Sequence, residues 1–401
     1  MRNTPSENRY SLFCSRASTG ALLLLFLFLS CGLLSAETII EEPHLFPMSP
    51  EIMAQGGSYV AVAEGYNSIF TNPAGFAEGD PSLTLPSLNF WVHANPLRYL
   101  GHFLGGNHNT DYLLDEATDG GFGIGAATGL AYVGNGLGLG LVMQVDSFIY
   151  GPQATGLAGD TLATLSLVGG YAVSFNILGV DMSVGAALRP FARIHTPLSS
   201  DAAYELLTAF AGKKSIFGAL NNKATLHGTG LGIDLGLIAK MGSFRLGVSF
   251  RDVGNTPINY KSSSFETVIS YLGTNLVFPE GNATSDTYVI PMTINAGLAF
   301  YPMWGNSDSA LDIVLHSEIR DLAAFFEGER DMLTHLHVGA EVRLWESFAL
   351  RGGLNQGYVT FGLGLELSFV KLDLAYFTRE LGDRYGESPS SGFAFELALQ
   401  F

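Results

Sequence analysis

The sequence predicts an all-β chain: a transmembrane antiparallel β-barrel of about 14 strands, with a separate N-terminal segment inside the lumen. Three observations predict it. Tracts of about ten residues recur down the chain with period-two alternation, each with one apolar face and one Gly, Ala or polar face. The connections between tracts alternate long and short, as extracellular loops and periplasmic turns do. Charged residues make up 14% of the chain and hydrophobic ones 47%, whereas about a quarter of a soluble domain is charged.

Residues 1–36 read as a secretory signal peptide. Arg2, Arg9 and Arg16 make a basic start, Ala21 to Leu29 is unbroken apolar sequence, and Leu33–Leu34–Ser35–Ala36 supplies a small residue for cleavage. The apolar run is too short for a spanning helix, which needs about 20 residues. A second reading takes Leu29–Ser30–Cys31–Gly32 as a loose lipoprotein box with Cys31 lipidated, although Phe28 stands where such boxes usually have Leu. Both cysteines, Cys14 and Cys31, lie in this leader. A chain cut after Ala36 has no thiol, which excludes disulfide and cysteine-metal chemistry. The cut also removes Arg2, Arg9, Arg16 and Glu7, leaving 17 basic and 36 acidic residues. So acidic a chain lacks the basic face that a phosphate backbone needs, and nucleic acid is excluded as a partner. Beyond the leader no stretch approaches 18 uncharged apolar residues, so no helical span is expected.

Residues 37–80 do not read as a barrel strand, and 81–401 are assigned to the barrel. Its tracts lie near Leu83–Asn95, Gly121–Tyr132, Gly136–Ile149, Thr161–Phe175, Val180–Thr196, Thr225–Met241, Phe244–Asp252, Thr287–Tyr301, Ala310–Arg320, Leu333–Trp345, Phe348–Asn355, Tyr358–Phe369, Val370–Arg379 and Gly392–Phe401. Connections after even tracts are short, such as Gly242–Ser243. Those after odd tracts are mostly long, such as Pro197–Ala224 and Val253–Asp286, with the tight Gln356–Gly357 turn as the exception. This rhythm places the C-terminus in the periplasm, and a terminal Phe401 on a strand of alternating aromatics is the usual signal to the barrel assembly machinery.

The two faces separate lipid from lumen. In the fifth tract Met182, Val184, Ala186 and Leu188 oppose Arg189, Arg193 and His195; in the tenth Val338, Ala340 and Val342 oppose His337, Glu341 and Arg343. A charge facing lipid costs about 2–4 kcal/mol at the midplane, so the charged faces line the lumen. Gly123, Gly125, Ala127 and Gly129, and Gly228, Gly230 and Gly232, leave lumen faces nearly bare, as expected where another backbone approaches closely.

The segment after the leader carries Gly56–Gly57–Ser58–Tyr59–Val60–Ala61 and then Asn67–Ser68–Ile69–Phe70–Thr71–Asn72–Pro73–Ala74–Gly75. It resembles the N-terminal hatch of the FadL family of long-chain fatty-acid transporters, with Asn72, Pro73 and Ala74 matching that family's Asn-Pro-Ala element and Gly75 following it. The strands around His337–Glu341, Leu350–Leu354 and Gly362–Leu365 have the same texture, closest to a spirochaete branch of the family. Residues 151–286 match by strand rhythm alone. The resemblance implies a plugged 14-stranded barrel in the cell outer membrane, in contact with outer-membrane lipids, that passes hydrophobic small molecules by diffusion. A structural or secretion-associated docking barrel and a polar-solute porin are the alternatives.

Catalytic, metal and cofactor readings are weaker. His335 and His337 share a strand face and could chelate, but lumen lining explains them as well. Gly123–Ile124–Gly125 and Gly138–Leu139–Gly140 look like pieces of a dinucleotide loop, yet strand periodicity runs through them. No Gly-x-Ser-x-Gly elbow stands between a strand and a helix. The expectation is no enzyme, no metal and no cofactor. Ligand contacts are expected elsewhere. Leu206, Leu207, Phe210 and Phe217 recur at roughly helical spacing in the outside loop, as a helix capping the barrel or a greasy landing site. Lys213 and Lys214 beside them could meet a carboxylate head group or anionic surface lipids. Arg189 and Arg193, on either side of Phe191 on one lumen face, are the candidates for an acidic head group; pairing with a carboxylate of the wall is the alternative.

Overall fold

The computed structural model describes residues 39–46, 48–95, 110–302, 311–328 and 330–401. The expected signal peptide (1–36) and lipidated Cys31 lie outside them. Residues 40–401 form one unit built around a closed antiparallel barrel.

The barrel strands are β1 (Ser82–His93), β2 (Phe122–Gly134), β3 (Leu137–Tyr150), β4 (Ala158–Ile177), β5 (Val180–Leu198), β6 (Ala224–Met241), β7 (Phe244–Arg251), β8 (Thr256–Ser264), β9 (Thr287–Ile290), β10 (Thr293–Phe300), β11 (Leu311–Ile319), β12 (Leu336–Leu344), β13 (Phe348–Asn355), β14 (Tyr358–Leu367), β15 (Val370–Glu380) and β16 (Pro389–Gln400). β7 and β8 share one position in the wall and β9 and β10 share the next, so the ring has 14 positions. β16 closes it against β1, with Phe395 opposite Phe90 and Leu397 opposite Leu88. Closure pairs every strand edge, the condition for carrying a backbone through hydrocarbon.

Alternation decides which face meets lipid. On β3 Leu137, Leu139, Leu141 and Met143 are exposed while Gly138, Gly140 and Val142 are buried. On β5 Val184 and Leu188 are exposed and Ser183, Arg189 and Arg193 are buried. The same apolar outer surface continues through Leu231, Leu246, Leu315, Leu350, Leu363 and Leu374. A closed barrel greasy outside and charged inside belongs in the outer membrane. The described residues contain no helix long and apolar enough to cross a membrane.

One stretch of the wall departs from the pattern expected of the sequence. The long connection expected over Val253–Asp286 contains β8, and the seventh tract does not stop at Asp252. β7 pairs with the lower half of β6 (Leu235 opposite Phe250), and β8 pairs with its upper half (Thr229 opposite Asn259). Between them Asp252, Gly254 and Asn255 take positive φ and step out of the ladder. Asp-Val-Gly-Asn reads as a turn because its residues favour left-handed conformations, and here that preference makes a wide bulge rather than an end.

Helices gather at the end of the barrel that carries the long loops. α3 (Thr110–Asp119), α4 (Ser200–Phe210), α5 (Ile216–Leu220) and α6 (Phe265–Asn275) share an apolar cluster with Phe122, Ile149 and Leu198. Two shorter helices, α1 (Pro50–Ala54) and α2 (Ser68–Thr71), belong to the segment before β1. A last one, α7 (Leu322–Glu327), follows β11.

Candidate functional site: the lumen and its inner segment

The segment before β1 is almost wholly buried. Ile52, Ala54, Ala63, Phe70, Asn72 and Phe76 are each 3% exposed or less. It packs on inward strand faces, and glycine makes the room. Phe76 lies where Cβ atoms on Gly138 and Gly170 would stand, at 2.7 and 2.6 Å from its ring. A Cβ on Gly247 would sit 2.5 Å from Ala61 Cα, too close for any other residue.

Asn72 joins three parts of this packing. Its Nδ2 donates to Val60 O (3.0 Å) within the segment and to Leu237 O (3.2 Å) on β6. Its Oδ1 accepts from Ala74 N (3.1 Å), capping the 3-10 turn that Pro73 opens. Proline suits that first position because it has no amide hydrogen to lose and its φ is already helical. Gly75 then passes so close to the Ala63 carbonyl and Ser68 that a side chain there would put its Cβ 2.7 Å from Ser68 Cβ.

Polar residues of the wall grip the next stretch. Glu318 accepts from the amides of Tyr59 (2.8 Å) and Val60 (3.0 Å). His316 contacts Ser58 Oγ (2.8 Å) and Gln55 Oε1 (2.7 Å), His337 Nδ1 donates to Gly56 O (2.8 Å), and Arg320 Nη2 donates to Gly57 O (2.5 Å). His335 turns instead to the Arg320 carbonyl (3.0 Å). The two histidines expected to share a face therefore have separate partners. Glu51 on α1 is the segment's ionic anchor: it accepts from Tyr59 Oη (2.9 Å), Asn67 Nδ2 (3.0 Å) and Lys371 Nζ (2.5 Å). Lys371 is 3.6 Å from Asp373, and Asp373 pairs with Arg351, which also donates to Glu341 (2.6 Å). Such a network is stable only while complete, because each member is desolvated.

The arginines of β5 already have carboxylates. Arg189 pairs with Asp252 (2.7 Å) and Asp234 (3.3 Å), so it ties the inward bulge to β6. Arg193 donates to Pro43 O (2.8 Å) and pairs with Glu42 (3.3 Å), which also meets His195 (2.7 Å). An acidic ligand at either arginine would have to share it with a carboxylate. The partners lie between 45 and 151 residues away along the chain, so nothing local in the sequence points to them.

In the outside cap Leu206 and Leu207 are fully buried in the apolar cluster, and Phe210 packs against it with its ring 5.9 Å from that of Phe122. Phe217 is 61% exposed, with Ile216 beside it. Glu205 lies 3.1 Å from Lys223 and 3.8 Å from Lys214, and the hydrogen bond from Lys223 holds its carboxyl below the usual range.

Between the inner segment and the wall lies a cavity of about 380 Å³. Its apolar lining includes Leu45, Phe46, Phe70 and Trp91; Gln144, Asp146, Arg251 and Arg379 are among its polar residues. The volume is within the range of small-molecule pockets.

No protein-family model matches the chain, and no curated protein matches its sequence. Solved structures do. The barrel is similar to the CymD monoaromatic hydrocarbon channel at 14% identity, with 88% of this chain and 97% of that chain covered and a TM-score of 0.48. It is similar to the Pseudomonas putida toluene transporter TodX at 13% identity, covering 90% and 99%, TM-score 0.46. For the Ralstonia pickettii toluene transporter TbuX the values are 13%, 88% and 98%, TM-score 0.45.

Proposed function

We propose that the protein lets small hydrophobic molecules, long-chain fatty acids or compounds like them, diffuse across the outer membrane through a barrel that its own N-terminal segment plugs. The observation that carries this reading is the cavity between that segment and the wall. Its lining sets aromatic and aliphatic side chains such as Leu45, Phe46, Phe70 and Trp91 beside polar and charged ones, four arginines among them, as a site for a molecule with an apolar body and a polar end would. A porin for polar solutes would need an open, water-filled lumen; the packing of residues 45–78 across this one supports a plugged route instead.

The likeness to the FadL family and its spirochaete branch rests on the Asn72–Gly75 element and the strand texture of the sequence. In this reading residues 37–80 are the hatch and 81–401 the barrel. Phe217, exposed on the cap, receives the apolar body of the ligand, while Leu206 and Leu207 hold the cap together and Phe210 lies between the two roles. Arg189 and Arg193 are held by Asp234, Asp252 and Glu42, so an acidic head group meets either arginine only by sharing it with these carboxylates. Mass spectrometry of molecules that co-purify with the protein after exposure to mixed lipids and hydrocarbons tests the reading. The expected result is a retained hydrophobic compound of fewer than about 30 heavy atoms in stoichiometric amount. Retention of bulk membrane lipid alone would contradict it.

A further inference from the structure

Four arginines line the inner cavity, and three of them have carboxylate partners: Arg193 with Glu42 at 3.3 Å, Arg251 with Asp234 at 3.2 Å and Arg320 with Glu318 at 3.5 Å. Arg379 differs. Among the described residues no carboxylate lies within 4.0 Å of it; its Nε, like Nε and Nη2 of Arg251, is buried without a hydrogen-bond partner. Its guanidinium carbon stands 5.9 Å from the Phe148 ring centroid. Two acids share the cavity with it and both are engaged elsewhere: Asp146 accepts from Trp91 Nε1 at 2.6 Å, and Glu318 accepts from the amides of Tyr59 and Val60.

A half-buried guanidinium with no carboxylate within reach is costly, since its Nε has lost water that nothing has replaced. The wall solves this problem at Arg189, Arg193 and Arg351 with carboxylates of its own. At Arg379 it leaves the position opposite the cation to the cavity. Trp91, Phe46 and Phe70 supply flat apolar surface in the same space. Planar, bidentate recognition of a carboxylate or sulfonate is what arginine does best.

We propose that the inner cavity is a site for amphipathic monoanions, an aromatic or compact apolar body bearing one carboxylate or sulfonate, with the acidic group on Arg379 and the body among Trp91, Phe46 and Phe70. This deepens the transport reading and rests on it. Asp146 then acts as a selectivity element: its charge opposes a second anion, so the site prefers a ligand with one acidic group to one with two.

The test is calorimetric titration of the full-length barrel in detergent with 2-naphthoate and with 2-methylnaphthalene, the neutral probe of matched shape. The wild type should bind both. Arg379→Gln should weaken 2-naphthoate at least tenfold and change 2-methylnaphthalene less than threefold. Arg379→Lys, which keeps the charge if the Gln variant assembles poorly, should fall between. Asp146→Asn should tighten 2-naphthoate, a gain that a structural role for this pair would not give. Binding of 2-naphthoate that is equal in wild type and Arg379→Gln overturns the proposal, as does equal loss of both probes. Binding of 2-methylnaphthalene without 2-naphthoate overturns this inference and leaves the transport reading standing. Failure of the wild type to bind either probe overturns both.

Discussion

Replacing Asn72 by Ala should unseat the inner segment. The side chain is fully buried and makes three hydrogen bonds: to Val60 O at 3.0 Å, to Leu237 O at 3.2 Å and from Ala74 N at 3.1 Å. At about 1 kcal/mol for each net bond the loss is about 3 kcal/mol. At 1.4 kcal/mol per tenfold, that lowers the ratio of seated to unseated segment by about two orders of magnitude. Only one of the three bonds reaches the wall; the other two shape the turn that presents Pro73 and Phe76 to Gly236, Gly138 and Gly170. Loss of the turn should therefore loosen more than one contact. The assay is conductance in planar bilayers under a rising urea concentration, which opens the least stable part of the protein first. Asn72→Ala channels should begin to conduct at lower urea than wild type, and deletion of residues 40–78 should conduct without urea. Gly236→Ala, whose methyl would collide with the Asn72 amide oxygen, should behave like Asn72→Ala. Identical urea profiles for Asn72→Ala and wild type would refute the argument that this residue seats the segment.

Further expectations follow from other parts of the molecule. Arg351→Ala leaves Asp373 with only Lys371 at 3.6 Å and Glu341 with only Arg343 at 3.1 Å, and should destabilise the folded barrel by about 3 kcal/mol, read as a fall in the urea midpoint of its heat-modifiable gel band. Removing Phe401, or replacing it by Asp, should lower the amount of folded protein in the outer membrane, measured by the same band in isolated membranes. Lowering the pH should loosen the cap: the Glu205 carboxyl is held below its usual range by Lys223, so this contribution is present above the normal carboxylate range and is lost as the pH falls through the depressed value. Faster proteolysis around Gly212–Ser215 in acid for the wild type, but not for Glu205→Gln, checks this.

The wall was legible because lipid imposes one rule on every strand. An outward residue must be apolar, so Leu137, Leu139, Leu141 and Met143 announce both a strand and its orientation. Strand ends such as Phe348–Asn355 coincide with the structure because the turns beside them carry residues that only a turn tolerates, such as Gln356–Gly357 at positive φ. The bulge at Asp252–Asn255 reads as a loop in the sequence because its local chemistry is that of a turn. Its role depends on Arg189, 63 residues away, drawing Asp252 inward. The lumen was legible only as a composition. The pattern said that His316, Glu318 and His337 face inward, not that they would hold Gln55 to Val60 across more than 250 residues of chain. Arg379 looked in sequence like any strand-end cation. Its lack of a partner emerges once the carboxylates of the other arginines are located.

Uptake measured in whole cells tests the central claim most directly. Cells carrying the protein in the outer membrane, and control cells carrying an unrelated closed barrel at equal level, would be given labelled oleate and labelled 2-methylnaphthalene. The initial rate for at least one probe should exceed the control several-fold, and deletion of residues 40–78 should raise entry of polar solutes as well. Equal rates for both probes in the two kinds of cell, with the barrel folded and present in the membrane, would contradict the account.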